Sequence, residues 1–351
     1  MLRRPTLAWL PGAALCLTFV PAIAGAHGAR GIQHIRPLDR TGLAVFEEPK
    51  RDTTPFSGLR LAIGGGFAQD FQNLSHTTRA EPNLVNGVDA NTLTPIGPGF
   101  NTAMANLYLN VQMAQGIRVA MTAYLSSRNH NEAWVKDGYL LVDASPFDMA
   151  LMNAVMQYLT LKVGHFEINY GDQHFRRTDG GNGLYNPFVK NTLYTGDRAG
   201  THYFDVMDNA GNNGSGNINP KFVSNVQAVM VNPFLKLGGL EVMGTLERAT
   251  GGASTENDRA WDQWAVDGVY RLWGERAYGA ARYNKARGAY PGITTGEVGV
   301  NRVQVGGGLF ITNNILGKIE YVQQRYQDFP TTDLRHGGEF RGVMVQGAVL
   351  F

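Results

Sequence analysis

Few residues in this chain have the types and spacing of a reaction centre. The stretch SSRNHN places Ser126 and Ser127 near His130, a nucleophile type beside a base type. A hydrolytic triad also needs an orienting carboxylate and an oxyanion site, and a polar connection rich in Ser, Asn and His accounts for the same letters. His165, His174 and His202 lack the tight spacing of a metal site. The glycine triplets at 64–66 and 306–308 are not followed by the Lys-Ser/Thr pair of a phosphate loop. The expectation is a protein with no catalytic centre, no cofactor and no metal. Lipid hydrolysis through the serines and His130 is the enzymatic alternative.

The denser chemistry is charge within one long polar stretch, 171–221. It carries Asp172, His174, Arg176, Arg177, Asp179, Lys190, Asp197, Arg198 and His202 among glycines and asparagines. Two adjacent guanidiniums, Arg176 and Arg177, in a restricted passage would favour a carboxylate or phosphate over a cation. Asp172 and Asp179 lie close enough in sequence to offset them, so only a mild anion preference is expected. Such a passage needs a frame with an inside.

That frame is written as period-two alternation, in which successive side chains point to opposite faces of a strand. Leu107, Leu109, Val111 and Met113 alternate with Asn106, Tyr108, Asn110 and Gln112. Val303, Val305, Gly307 and Leu309 oppose Arg302 and Gln304 in the same way. The wetter faces supply Arg60, Arg118, Lys162, Arg271, Arg282, Arg302 and Lys318 against Glu167, Glu241, Glu247, Asp267 and Glu320. If those faces point inward, the lining is slightly basic.

The runs are about ten residues long, enough for a tilted strand to cross a hydrocarbon core. Their connections alternate between short ones, such as AQG and TNNILG, and long polar ones at 72–99, 171–221, 251–260 and 288–296. Trp261, Trp264 and Trp273 fall near strand ends, as in an interfacial girdle. A bilayer offers backbone amides no water, so a spanning sheet must close on itself. The expectation is an all-β, closed antiparallel transmembrane barrel over 57–351.

Twelve strands are expected, near 58–69, 101–113, 117–127, 133–143, 158–170, 222–231, 239–249, 261–272, 275–286, 298–311, 316–327 and 340–351. Fourteen is the alternative if NTLYTGDRAGTHYFDVM hides a hairpin, and sixteen is the upper one. Lys136 and Asp137 spoil the alternation in the fourth run, and a parity shift between Val163 and Phe166 predicts a bulge in the fifth. Residues 27–56 read as a periplasmic lead-in at the barrel mouth.

Composition agrees with this class. Glycine is 44 of 351 residues, well above the usual share, yet 17 Phe and 14 Tyr exclude a disordered glycine-rich chain. Arg3 and Arg4, an apolar core and an Ala24-Gly25-Ala26 exit form a secretory signal peptide over 1–26. Its removal takes away Cys16, the only cysteine, and lowers the 31 basic residues to 29, equal to the 29 acidic ones. A neutral mature chain argues against a nucleic-acid partner.

The terminus carries a resemblance. Phe351, preceded by Val349, Gly347, Val345 and Val343, resembles the C-terminal signal of bacterial outer-membrane barrels, which implies recognition by the barrel-assembly machinery. The stretch LKVGHFEINYGDQHFRRTDGGNGLYNPF, through Gly164, Phe166, Tyr170 and Gly171, resembles the phosphate-selective porin group. That resemblance implies an outer-membrane porin passing small hydrophilic solutes, with a long third external loop and homotrimers as an expected assembly. A closed structural or adhesive barrel is the non-enzymatic alternative. The partners expected are outer-membrane lipids, the assembly machinery and the solutes.

Overall fold

The computed structural model describes residues 32–46, 50, 55–125, 133–147, 149–168, 170–171, 175–176, 183–190, 193, 203–209, 214–254, 256–294 and 296–351. The proposed signal peptide lies outside them.

Alternating residues form strands here because each face has a consistent polarity. In chain order they are β1 (Arg60–Thr77), β2 (Leu84–Val85), β3 (Val88–Asp89), β4 (Gly99–Phe100), β5 (Met104–Ala114), β6 (Ile117–Leu125), β7 (Ala133–Val142) and β8 (Leu161–His165). They continue as β9 (Asn225–Val231), β10 (Phe234–Leu237), β11 (Leu240–Gly252), β12 (Arg259–Leu272), β13 (Ala277–Gly288), β14 (Val298–Phe310), β15 (Ile315–Gln327) and β16 (Glu339–Leu350). One short helix, α1 (Ala150–Met156), links β7 to β8.

All but β2 and β3 join one antiparallel sheet of fourteen strands, running from β10 through β11 to β16, then to β1 and on to β5, β6, β7 and β8. Each of the twelve expected runs has its strand. The larger number arises because pairing with β11 resumes after Pro233 as β10, beyond the expected run 222–231 that holds β9, and because β4 adds a brief pairing with β1. Proline has no N–H to give the ladder, so a break at that point is expected. The two extra strands do not come from 191–207, where the described residues show only an isolated bridge from Val206 to Ser215.

Two expectations shift. Register irregularities fall outside the fifth run, in β7, which slips against β6 between Thr122–Asp137 and Ala123–Val135, and in β5 between Gln112 and Ala114. The fifth run is cut short instead: β8 ends at His165, and Gly164 has φ +143 with Gly138 O 2.4 Å from where a Cβ would sit. β1 continues eight residues past its expected end because pairing with β16 persists to Thr77–Glu339. Of its outward residues there, Phe71 is still apolar but Asn73, Ser75 and Thr77 are polar, so the apolar pattern ends at Phe71, before the strand does.

The connections alternate in length as expected except between β7 and β8, where the short-turn end carries the longer connection with α1. β5–β6, β10–β11, β12–β13 and β14–β15 are joined by short turns at one end, and both β1's start and β16's end lie there. Residues 32–46 sit across that end: Gln33 N donates to Gln112 Oε1 (3.0 Å), Arg40 N to Asn313 O (2.8 Å) and an Arg40 guanidinium N–H to Gly274 O (2.8 Å). Lys50 Nζ donates to Asp143 O (3.1 Å), Met156 O (2.8 Å) and Leu159 O, tying the same segment to both ends of the α1 connection.

Candidate functional site

Strand parity sorts the sheet into two faces of inverted polarity. On β15 the buried side is Leu316, Lys318, Glu320, Val322, Gln324 and Tyr326, while Ile319 and Tyr321 between them are exposed. On β14, Arg302 and Gln304 are fully buried and Val303 and Val305 are exposed. On β12, Gln263, Asp267 and Arg271 are buried while Trp264, Val266 and Tyr270 are exposed. The inner face mixes buried charges and amides with apolar residues such as Leu316 and Val322, while the outer face is apolar where a soluble domain would be polar.

The inner charges compensate one another. Arg282 on β13 bonds Asp267, whose other oxygen meets Arg176 at 2.8 Å. Glu241 accepts from Arg271 Nε at 2.8 Å and lies 3.4 Å from Lys236 Nζ, which also reaches Glu275 at 2.6 Å. Arg302 Nε donates to Gln324 Oε1 (2.8 Å), and its guanidinium lies 5.1 Å from the Tyr203 ring centre. Buried ions are retained where each finds a partner.

The polar stretch after β8 turns back onto this inner face. Leu184, Tyr185, Phe188, Val189, Leu193, Tyr203 and Ile218 are all buried. The wall supplies what their backbone lacks. Lys318 Nζ donates to Gly183 O (2.9 Å), Asn186 O (3.2 Å) and Phe188 O (3.4 Å). Glu320 accepts from Val189 N (2.7 Å) and from the Tyr203 hydroxyl. Gln304 donates to Lys190 O, Gln324 to Gly216 O, and Tyr278 Oη to Pro187 O (2.8 Å). Burial, with the Glu320 carboxylate beside it, pushes the Tyr203 phenol well above the ordinary tyrosine range, so it stays a donor.

Not every candidate lies where the sequence suggested. Arg118, Glu241, Arg282, Arg302 and Lys318 are buried on the inner face. Lys162 shares that parity, opposite buried Leu141, but is exposed, with its ammonium 5.0 Å from the Tyr139 ring. Arg60 is exposed at the start of β1 and bonds Ser57. Arg176 and Lys190 are buried within the packed interior. Val343, Val345 and Phe351 are exposed on the outer face, and Val349 is half-buried there. Asp172, Arg177, Asp179, Asp197, Arg198, His174, His202, Ser126, Ser127 and His130 lie outside the described residues. Trp261 departs from the girdle: three residues from Trp264, it has the opposite parity, is fully buried and donates Nε1 to Ala289 O at 2.7 Å. Trp264 and Trp273 are exposed.

Sequence reasoning missed Asp70, buried on β1, and the part played by LYNPFV, an apolar run (Leu184–Val189) inside a polar stretch. That run is the signal that could have found the inward fold. Among the described residues no group of acidic, His or Cys side chains is arranged to hold a metal, and no helix is long and apolar enough to cross a membrane.

No protein-family model matches the chain, and no curated protein matches it. Among solved structures, it is similar to the in-vitro folded trimer form of OmpT, an outer membrane protein of Vibrio cholerae (TM-score 0.47, 9% identity, 84% of this chain and 100% of that one). It is also similar to an anion-selective porin from Comamonas acidovorans (0.44, 10%, 84% and 100%) and to Salmonella typhi OmpF in complex with daunomycin (0.36, 10%, 84% and 98%). Identities of this size, with scores under 0.5, leave the reading of this chain to its own residues.

Proposed function

We propose that the chain is a closed β-barrel of the bacterial outer membrane, a narrowed porin through which small hydrophilic solutes diffuse. The observation that carries this is the inverted burial. A wall with Ile319, Val305, Val266 and Val345 outward and Arg302, Glu320 and Asp267 inward suits hydrocarbon outside and a polar interior. Pairing of β1 with β16 joins the first and last strands. The remaining edges, β8 and the β9–β10 run, also approach each other. Tyr170 Oη donates to Glu247 Oε1 on β11 (3.3 Å), and a Cβ on Gly171 would lie 2.3 Å from Met230 Sδ on β9. With β9 and β10 taken as one bent strand and β4 as part of a loop, the wall has the twelve strands expected.

A barrel between eight strands, which fill their own interior, and sixteen, which leave a wide channel, suits a narrow one. The described residues of the stretch after β8, 183–190, 193, 203–209 and 214–218, pack on the side of β12–β16 and β1. The other side, with Tyr108, Asn110, Thr122 and Tyr139 half-exposed and Lys162 exposed, is the better candidate for the passage. Lys162 and the half-buried Lys136, against the half-buried Asp137 that pairs with Thr122, favour a mild anion preference. Placement of the long connections outside the cell, export by a signal peptide, assembly through the C-terminal strand and trimer formation belong to the same reading.

The dense interior favours a second reading, a closed structural barrel. Planar-bilayer recording on detergent-purified protein separates them. Discrete open steps are expected, and a silent but fully folded barrel would overturn the porin reading. Silence accompanied by lipid hydrolysis would point to the enzyme alternative.

A further inference from the structure

Between Asp148 and Lys162 the sequence MALMNAVMQYLTL carries no charge, and it forms α1 with its flanks. Such a run in a soluble protein is normally core. Here it is open. Phe147 is 64% exposed, Leu151 74% and Tyr158 91%, and Met149, Val155 and Leu159 are exposed as well. Within α1 only Met156 is buried. Ala150, Leu151, Ala154 and Val155 share one helical face through their i, i+4 spacing, and all four are exposed. A helix of seven residues is too short to persist in water unaided, and α1 has no side-chain N-cap.

The place of this segment in the fold says what covers it. Asp143 N donates to Gly116 O in the β5–β6 turn (2.9 Å). Lys50 Nζ bonds Asp143 O (3.1 Å) together with Met156 O (2.8 Å) and Leu159 O, which sets the end of α1 level with that turn. Beside it the outward residues of β7 and β8, Leu140, Leu161 and Val163, are exposed and apolar. The outer wall stays apolar down to the same level elsewhere: Met113, Trp273 and Ile311 are exposed at the edges of the short turns. Between β12 and β13, charge begins only in the turn itself, at Glu275 and Arg276. Hydrocarbon that suits the wall therefore reaches the turns, and α1 lies at its boundary.

We infer that α1 and its flanks are a membrane-interface anchor. Phe147, Leu151 and Val155 sit among phospholipid acyl chains, and the Tyr158 hydroxyl sits at the headgroups, where tyrosine is favoured. A second copy of the chain would cover one side of the patch, whereas the lipid over Leu140, Leu161 and Val163 continues onto it without a gap. The inference rests on the barrel reading, since this lipid is the one the wall would face.

Spin labels on single cysteines test it in proteoliposomes of phosphatidylethanolamine and phosphatidylglycerol. Cys16 is the only native cysteine, so Cys16→Ser leaves one label per variant. Leu151→Cys and Val155→Cys are compared with Ile319→Cys on the outer wall and Thr331→Cys in an exposed external connection. Labels at Leu151 and Val155 should meet dissolved oxygen several-fold more than a water-soluble nickel chelate, as at Ile319, with the reverse at Thr331. Nickel contact at Leu151 and Val155 equal to that at Thr331, with Ile319 in lipid, would overturn the anchor and leave the barrel standing. Shielding of both from either reagent, with broadening between labels on two copies, would assign the patch to self-association and also overturn it. Water contact at Ile319 would sink the barrel reading and the anchor with it.

Discussion

Phe351 and Gly65 are bound face to face. Gly65 N donates to Phe351 O (2.9 Å), Phe351 N donates to Gly65 O (3.0 Å), and the phenyl Cζ lies 2.6 Å from where a Cβ on Gly65 would stand. The ring covers a strand position that only a residue without a side chain leaves open. Deleting Phe351, or the change Gly65→Val, should slow assembly severalfold, read as loss of heat-modifiable migration on a detergent gel. Gly65→Ala should be milder, because a terminal ring can shift. Normal assembly of both Gly65→Val and the deletion would show that the contact is incidental.

Lys318 is the hub between wall and interior segment. Lys318→Met removes the donor from three carbonyls, at about 1–3 kcal/mol for each one left buried and unmet. The segment should become sensitive to trypsin, and single-channel conductance should rise. Unchanged proteolysis and conductance would mean that apolar packing alone holds the segment.

Asp267 stands between two guanidiniums, those of Arg282 and Arg176. Asp267→Asn leaves buried positive charge uncompensated, a loss of about 3–5 kcal/mol, measurable as a lower midpoint in urea unfolding from detergent micelles. Adding Arg176→Met should recover part of that loss. A double variant no more stable than the single would argue against the pairing.

In the porin reading, Lys162 and not Arg176 is the cation offered to passing solutes, because Arg176 is paired with Asp267. Lys162→Glu should move the reversal potential in a salt gradient toward cations, with conductance retained. A potential that does not move would put the passage elsewhere.

Asp89 accepts backbone N–H bonds from Asn91 (2.9 Å) and Asn83 (2.8 Å), and these hold its carboxyl below the ordinary aspartate value. A depressed folded value means that the stabilisation is complete above the unfolded value and is lost as pH falls through the folded one. The protection of the Asn83 and Asn91 amides, taken relative to their intrinsic exchange rates at each pH, should therefore be lost only below the ordinary aspartate range. Loss of that protection already at neutral pH would contradict the assignment.

The wall was legible because period-two alternation fixes side as well as strand. Arg282, Arg302, Lys318 and Glu320 could be assigned inward from parity alone, and all four are buried. Trp261 was misread for want of the same rule, its position near a strand end having been weighed above its parity. The Arg176–Asp267 pair was not legible, since no local pattern links two residues on opposite sides of a long connection. The ends of β1 and β8 were missed for another reason. Hydrogen-bonded pairing continues or stops independently of side-chain polarity, so β1 outruns its apolar pattern and β8 falls short of it.

The pairing of β1 with β16 has a kinetic side. Gly66 meets Leu350, so one edge of the first long strand stays unpaired until β16 is in place. β1 can zip to β5 early, across a short span of sequence, but its other edge requires closure of nearly the whole chain. The entropy of that closure is met before any of its bonds reward it. Until then β1 and β16 are both open templates, able to pair with strands of another chain. The most hazardous moment for this protein is therefore the interval just before its final strand docks.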